Sequence, residues 1–250
     1  MKSRCILIAA ALLFALTVPS AAAKDSRWVL DFENGAAFSG YNNIAVPGDT
    51  GTRFSLSKDF KTDAAYFYRL RLTWRISPRH SLSILYAPLK FSASGTSPFP
   101  IHFYGTDFPE GAPVKGSYKF NSYRLTYRYE LVRGEKWKVG VGFTAKIRDA
   151  AIGLESGALS ATRKNVGPVP LLNVHVERWL SPKAGLLLDA DALAAPQGRA
   201  EDVLLAVMFR ISPSMTLRAG YRFVEGGADN EKVYTFALIH YATVGISIDL

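Results

Sequence analysis

The chain has 250 residues, of which 48% are hydrophobic, 12% aromatic and only 20% charged, with a formal net charge of +9. That length suits one β-barrel or two small globular domains, and the aromatic content argues against a disordered chain. Beyond the N-terminal segment no apolar run reaches the roughly 18 residues of a transmembrane helix, which excludes helical spans.

Lys2 and Arg4 precede an apolar core from Ile6 to Val18, followed by the small residues Ala21, Ala22 and Ala23. This pattern predicts a secretory signal peptide over residues 1–23 and a mature domain over 24–250. Cys5, the single cysteine, lies before the apolar core, so the mature chain carries no thiol, no disulfide and no cysteine-ligated metal. Losing Lys2 and Arg4 lowers the net charge to +7. For an exported basic protein, anionic lipid head groups are the expected counter-charge rather than nucleic acid.

From Trp28 onward the dominant signal is period-two alternation, which places apolar residues on one face and arginines on the other. Trp28, Leu30 and Phe32 begin it, and Tyr66 to Ile76 continue it with Arg69, Arg71 and Arg75 on the opposite face. Tyr123 to Leu131 alternates with Arg124, Arg128 and Glu130, and Trp137 to Ile147 with Lys138 and Lys146. Val203 to Ile211, Leu217 to Phe223 and Tyr234 to Leu250 complete the series. The 13 prolines and 20 glycines punctuate it at short intervals. The connections alternate in length: long at 41–61, 94–114 and 151–167, short at 77–80, 132–136, 181–183 and 213–215, medium at 196–201 and 226–232. Such alternation is expected when the two ends of each hairpin face different compartments. The prediction is an all-β, transmembrane, antiparallel up-and-down barrel of ten strands with both termini in the periplasm; eight or twelve strands remain open because Phe54 to Phe60 reads as either loop or strand. Two changes of apolar parity, at Pro88 and between Phe120 and Tyr123, predict β-bulges near the outer rim.

Three short turns repeat an Arg–Ser–Pro theme: Arg75 to Pro78, Arg178 to Pro182 and Arg210 to Pro213. Trp28, Trp74 and Trp137 fall on the apolar face at the periplasmic end, as expected for a membrane-interface girdle. Thr243, Gly245, Ile248 and Leu250 follow a polar–x–Gly–x–x–apolar–x–apolar spacing. This resembles the C-terminal assembly signal of bacterial outer-membrane barrels, although those usually end in Phe rather than Leu. The mature chain is similar to the small outer-membrane β-barrel superfamily, including the OmpA-like and OmpW-like proteins. That resemblance implies a Gram-negative cell-envelope protein in the outer membrane, inserted by the barrel-assembly machinery and surrounded by outer-membrane lipids and lipopolysaccharide. It leaves function open.

With the apolar stripes toward lipid, the lumen is predicted to hold Asp31, Glu33, Arg69, Arg71, Arg75, Arg124, Arg128, Glu130, Lys146, Glu177, Asp189, Asp191, Arg210, Arg218 and Arg222. In so narrow a bore these charges should pair into a polar plug. The expected function is therefore non-enzymatic: a monomer with a membrane-structural or surface-interaction role. The alternative is a porin-like narrow passage for small, preferably anionic solutes. A third reading is a lumenal hydrolase. Hairpin register about Ser181–Lys183 sets His175 opposite Asp189 and Asn173 opposite Asp191, and a His–carboxylate pair is the orienting half of many hydrolytic sites. Ten-stranded omptin proteases also use an Asp–His pair, but no omptin motif aligns here, no serine stands beside His175, and the barrel lipid A deacylase's His–x–Ser is absent. His80, His102 and His240 lack ligand spacing, so no metal is expected, and no cofactor motif occurs. The aromatic, proline-rich stretch Ser94 to Val114 is expected either to pack on itself or to meet a surface ligand. Lys58, Lys61, Arg163, Lys164 and Lys232 are candidates to neutralise lipopolysaccharide phosphates.

Overall fold

The computed structural model describes residues 26–196 and 198–250; the expected signal peptide, residues 1–23, and Cys5 lie outside the described residues. Ten antiparallel strands form the wall: β1 (Trp28–Ala45), β2 (Ala65–Arg75), β3 (His80–Ala87, continued by Lys90–Thr96), β4 (Pro113–Arg133) and β5 (Trp137–Ser156). β6 (Leu159–Trp179), β7 (Ala184–Ala195), β8 (Gly198–Ser212), β9 (Met215–Asn230) and β10 (Val233–Asp249) follow. Each strand pairs with its neighbours in sequence, and β1 pairs with β10 from Val29↔Asp249 to Ala45↔Tyr234, so the sheet closes. Closure leaves no main edge whose amide groups would face hydrocarbon.

Outward residues along the lower wall form an apolar belt. Leu70, Ile84, Leu125, Phe143, Leu172, Leu205, Phe209 and Val244 are all exposed. An exposed belt running round the barrel is solvated by lipid and not by water. Trp28 and Trp74 face each other in register at its lower edge, with ring centroids 6.0 Å apart. Trp137 is exposed at the same end, beneath the Arg178 guanidinium at 4.3 Å. Near the upper edge Tyr68, Tyr86 and Tyr123 make an outward aromatic cluster, and His240 bonds the Tyr221 hydroxyl at 2.5 Å.

The structure corrects the expectation of bulges at the two parity changes. Ala87↔Ser122 and Lys90↔Lys119 keep one register across Pro88 and Leu89, and Tyr118, Phe120 and Tyr123 sit in an unshifted ladder. What changes is the chemistry of the interior. Above this level Leu89, Phe91, Ala93, Tyr118, Ile152, Leu154 and Ala161 point inward and are buried. The bulges lie elsewhere, at Ser39/Tyr41, Val139/Gly140 and Arg210/Ser212.

The same inversion explains a second correction. The predicted long loop 151–167 is strand: β5 and β6 run on to a turn at 157–158, where Gly157 takes φ of 56°. β4, β5 and β6 reach 21, 20 and 21 residues, about twice what a membrane crossing needs. The medium connections shorten likewise, since β7 runs to Ala195 and β8 begins at Gly198, and β9 and β10 are joined by a turn between Asn230 and Val233.

Two loops enter the upper bore. Phe54–Ser55 pairs with β1 and Lys61–Thr62 with the upper part of β3. Ile101–Phe103 and Thr106–Phe108 form a small hairpin turning at Tyr104 and Gly105, with Ile101, Phe103 and Phe108 buried. The Phe54 ring meets Phe103 edge-on at 5.8 Å, and the Tyr104 amide donates to the Val46 carbonyl at 2.8 Å. The proline-rich stretch thus packs on itself and on the barrel. Leu154 is fully buried in this cluster. Leu154→Ala should destabilise the barrel by roughly 2–5 kcal/mol, read as a lower urea midpoint for loss of the heat-modifiable folded band. A midpoint within error of wild type would show that the upper bore is not packed.

Candidate functional site

Below the apolar cluster, strands β1, β2, β4, β7, β8 and β9 each send charged side chains inward, and with Thr144 of β5 and Asn173 of β6 these form one connected layer. Asp202 is its centre, 2% exposed, accepting from Arg69 Nη2 at 3.0 Å, from Arg124 Nη2 at 2.5 Å and from Arg222. Glu33 takes the Arg222 fork at 2.8 and 2.9 Å and Arg218 Nη2 at 3.1 Å. Arg218 also holds Asp31, which accepts from the Ser247 hydroxyl at 2.6 Å. Arg124 Nη1 reaches Asp191 at 2.6 Å, whose other oxygen accepts from Thr144 and Asn173, each at 2.8 Å. Planar guanidinium forks meeting carboxylates two at a time satisfy donors and acceptors that have lost water.

A second group lies nearer the chain termini. Asp189 accepts from Arg71 at 3.0 Å and from Arg128 at 2.7 Å, and the β6–β7 register places it beside His175. His175 Nδ1 lies 3.2 Å from Asp189 Oδ1 and its Nε2 3.2 Å from Glu177 Oε1. Glu177 in turn takes Lys138 at 3.2 Å and Trp179 Nε1 at 3.3 Å. Both ring nitrogens face carboxylate oxygens, so neither is directed at a nucleophile. At the rim Arg75 pairs with Asp249 at 2.7 Å, Glu130 lies 3.7 Å from Arg133, and Arg210 covers the Trp179 ring at 4.0 Å. The interior here is a cavity of about 1230 Å³ open at the end that carries the turns 76–79 and 213–214.

Lys146 stands apart from these pairs: it is 3% exposed, and its ammonium sits 4.7 Å from the Phe120 ring centroid. Thr243 is buried, Leu250 is exposed, and a Cβ on Gly245 would come within 2.8 Å of the Arg218 guanidinium carbon. Gly245 therefore makes room for Arg218 as it crosses to Asp31 and Glu33.

Sequence reasoning missed Asp202, because it assigned 196–201 to a connection and began the stripe at Val203. The signal was present. Leu204, Ala206 and Met208 are buried and inward, and Asp202 shares their parity. It also overlooked that one wall of the cavity is apolar, built by Trp179, Leu187, Leu204 and Met208. Asp202→Asn leaves Arg69, Arg124 and Arg222 short of counter-charge and should destabilise the barrel by about 3–5 kcal/mol in urea unfolding. The rim variant Arg210→Gln should change stability by less than about 1 kcal/mol. Equal effects of the two substitutions would contradict the layered arrangement.

No protein-family model matches the chain, and no curated protein matches it in sequence. Solved structures do. The outer membrane protease OmpT from Escherichia coli superposes with a TM-score of 0.58 at 9% identity, covering 89% of this chain and 96% of that one. The translocator domain of the autotransporter NalP from Neisseria meningitidis gives a TM-score of 0.46 at 10% identity, covering 98% and 96% of the two chains. The COG4313 outer membrane channel from Pseudomonas putida F1 gives 0.43 at 11% identity, covering 92% and 99%. At such identities the likeness to OmpT concerns the fold alone. The chain has the fold of the small bacterial outer-membrane β-barrels.

Proposed function

We propose that this protein is an integral outer-membrane barrel that neither conducts nor catalyses, and that holds a rigid set of hairpins above the membrane. Its termini and the open cavity face the periplasm in this reading, and its partners are the surrounding lipids and, during insertion, the barrel-assembly machinery. The observation that carries the proposal is the stacking of two seals across one bore. Glu33, Asp202 and Arg222 are 2%, 2% and 3% exposed, and Phe67, Phe91 and Leu154 above them are buried to a similar degree. Charges held this tightly cost several kcal/mol to separate, so a passing ion has no cheap route. The double engagement of His175 argues against the hydrolytic reading, since a general base needs a ring nitrogen directed at its substrate.

Planar-bilayer recording on the purified, folded protein tests this. Wild type should give no discrete conductance steps at either polarity. Stable anion-preferring steps that shrink when Arg69, Arg71 and Arg128 are neutralised would establish the narrow pore instead.

A further inference from the structure

The outer wall above the aromatic edge carries a feature that the interior does not explain. Lys90↔Lys119, Lys119↔Ala151 and Ala151↔Lys164 are successive register partners, so three lysines lie in one row across β3, β4, β5 and β6. Two residues further from the belt, Ser92, Ser117, Gly153 and Thr162 form a second row by the same pairings. Lys61, Ser94 and Lys115 begin a third, with Glu155 next to Lys115. All face outward, because the residues between them (Phe91, Ala93, Tyr118, Ile152, Leu154, Ala161) fill the buried core.

Like charges directly opposite across strands destabilise a sheet. Here Lys90 faces Lys119, and the only carboxylate paired to any of the five lysines among the described residues is Asp149, 2.7 Å from Lys119. The middle row is shallow. A Cβ on Gly153 would stand 2.8 Å from Ser117 Oγ and 3.2 Å from Thr162 Oγ1, so the two hydroxyls lean over a floor with no side chain. Lysines bordering a hydroxyl-lined trough offer donors for phosphate oxygens and for sugar hydroxyls together.

Height selects the ligand. Lys119 lies four residues beyond Tyr123 on β4 and Lys115 eight. With about 3.3 Å per residue and a tilt near 40°, the rows stand roughly 10 and 20 Å above the aromatic edge. A phospholipid head-group region is only about 5–8 Å deep. The sugar layer of a phosphorylated glycolipid extends further.

We infer that Lys61, Lys90, Lys115, Lys119 and Lys164, with Ser92, Ser117 and Thr162, form a docking surface for the phosphorylated sugars of lipopolysaccharide in the outer leaflet. The inference rests on the orientation given above and names the lipid contact of that same barrel. Of the loop cations read from the sequence, Lys61 and Lys164 belong to this surface, whereas Arg163 turns inward over the Tyr104 ring at 5.6 Å.

The test is native mass spectrometry of the detergent-solubilised protein with purified lipopolysaccharide, with the same material after chemical removal of its phosphates, and with inorganic phosphate. Lipopolysaccharide should be retained, and the triple variant Lys90→Gln/Lys119→Gln/Lys164→Gln should bind it at least tenfold more weakly while keeping its heat-modifiable folded band. Lys58→Gln/Lys232→Gln should bind as wild type. Retention that survives phosphate removal or the triple substitution overturns the inference, and so does inorganic phosphate binding as tightly as the glycolipid. Labelling of Glu110→Cys, an exposed turn position at the upper end and outside the docking surface, by a membrane-impermeant maleimide on intact cells separates the two claims. Failure to label refutes the orientation, whereas labelling without lipopolysaccharide retention refutes the docking surface alone.

Discussion

A guanidinium or carboxylate withdrawn from water must find its counter-charge within hydrogen-bonding reach, and this requirement organises the barrel. Once ten strands close, their inward arginines share a bore with little water. Asp202 answers it by receiving Arg69, Arg124 and Arg222 together, and Glu33 by bridging Arg218 and Arg222. Most of these pairs join strands that are far apart in sequence, while Arg222 and Asp202 join the neighbours β8 and β9. They fix which residues can sit at one height. Above the layer the interior is mostly apolar, and the cations that remain there lie against aromatic rings, Lys146 on Phe120 and Arg163 on Tyr104.

That change of interior chemistry gives the molecule three storeys along its axis. The end bearing the termini is an open cavity, with charged residues on one wall and Leu187, Leu204 and Met208 on another. The middle is ionic, and the far end is packed with phenylalanine and aliphatic residues from the wall and from two inserted loops. The upper storey stands clear of the lipid belt, so its outer face is free to be polar. There the lysine rows and the hydroxyl trough occur, on the wall that the packed interior holds stiff. A packed upper bore and a polar outer wall around it are two consequences of one inversion.

The lower wall was legible in the sequence because Leu70, Arg71 and Leu72 alternate with a period of two, while the alternating connection lengths and the tryptophans at one end pointed the apolar face to lipid. The position of His175 beside Asp189 followed from the tight turn between β6 and β7. The upper storey was harder to read for a physical reason. Ile152 and Leu154 alternate as strongly as Val139 and Val141, but on the opposite face, and a phase change in hydropathy looks like a shift in register or the start of a loop. Asp149 and Lys164, polar and outward, strengthened that impression. Phe91 and Tyr118 misled in the same way at Pro88, where the ladder in fact continues without slipping. Sequence periodicity reports which face is apolar; it does not report whether that face meets lipid or the barrel interior.

The central claim is that the ladder keeps its register while its apolar face passes from lipid to the interior. Because residues 26–250 contain no cysteine, spin labels placed singly at Phe143, Ser117 and Leu154 can report this through collision with oxygen and with a water-soluble nickel chelate. The account predicts oxygen access at Phe143, chelate access at Ser117 and little of either at Leu154. Strong chelate access at Leu154, or oxygen access there matching Phe143, would contradict it.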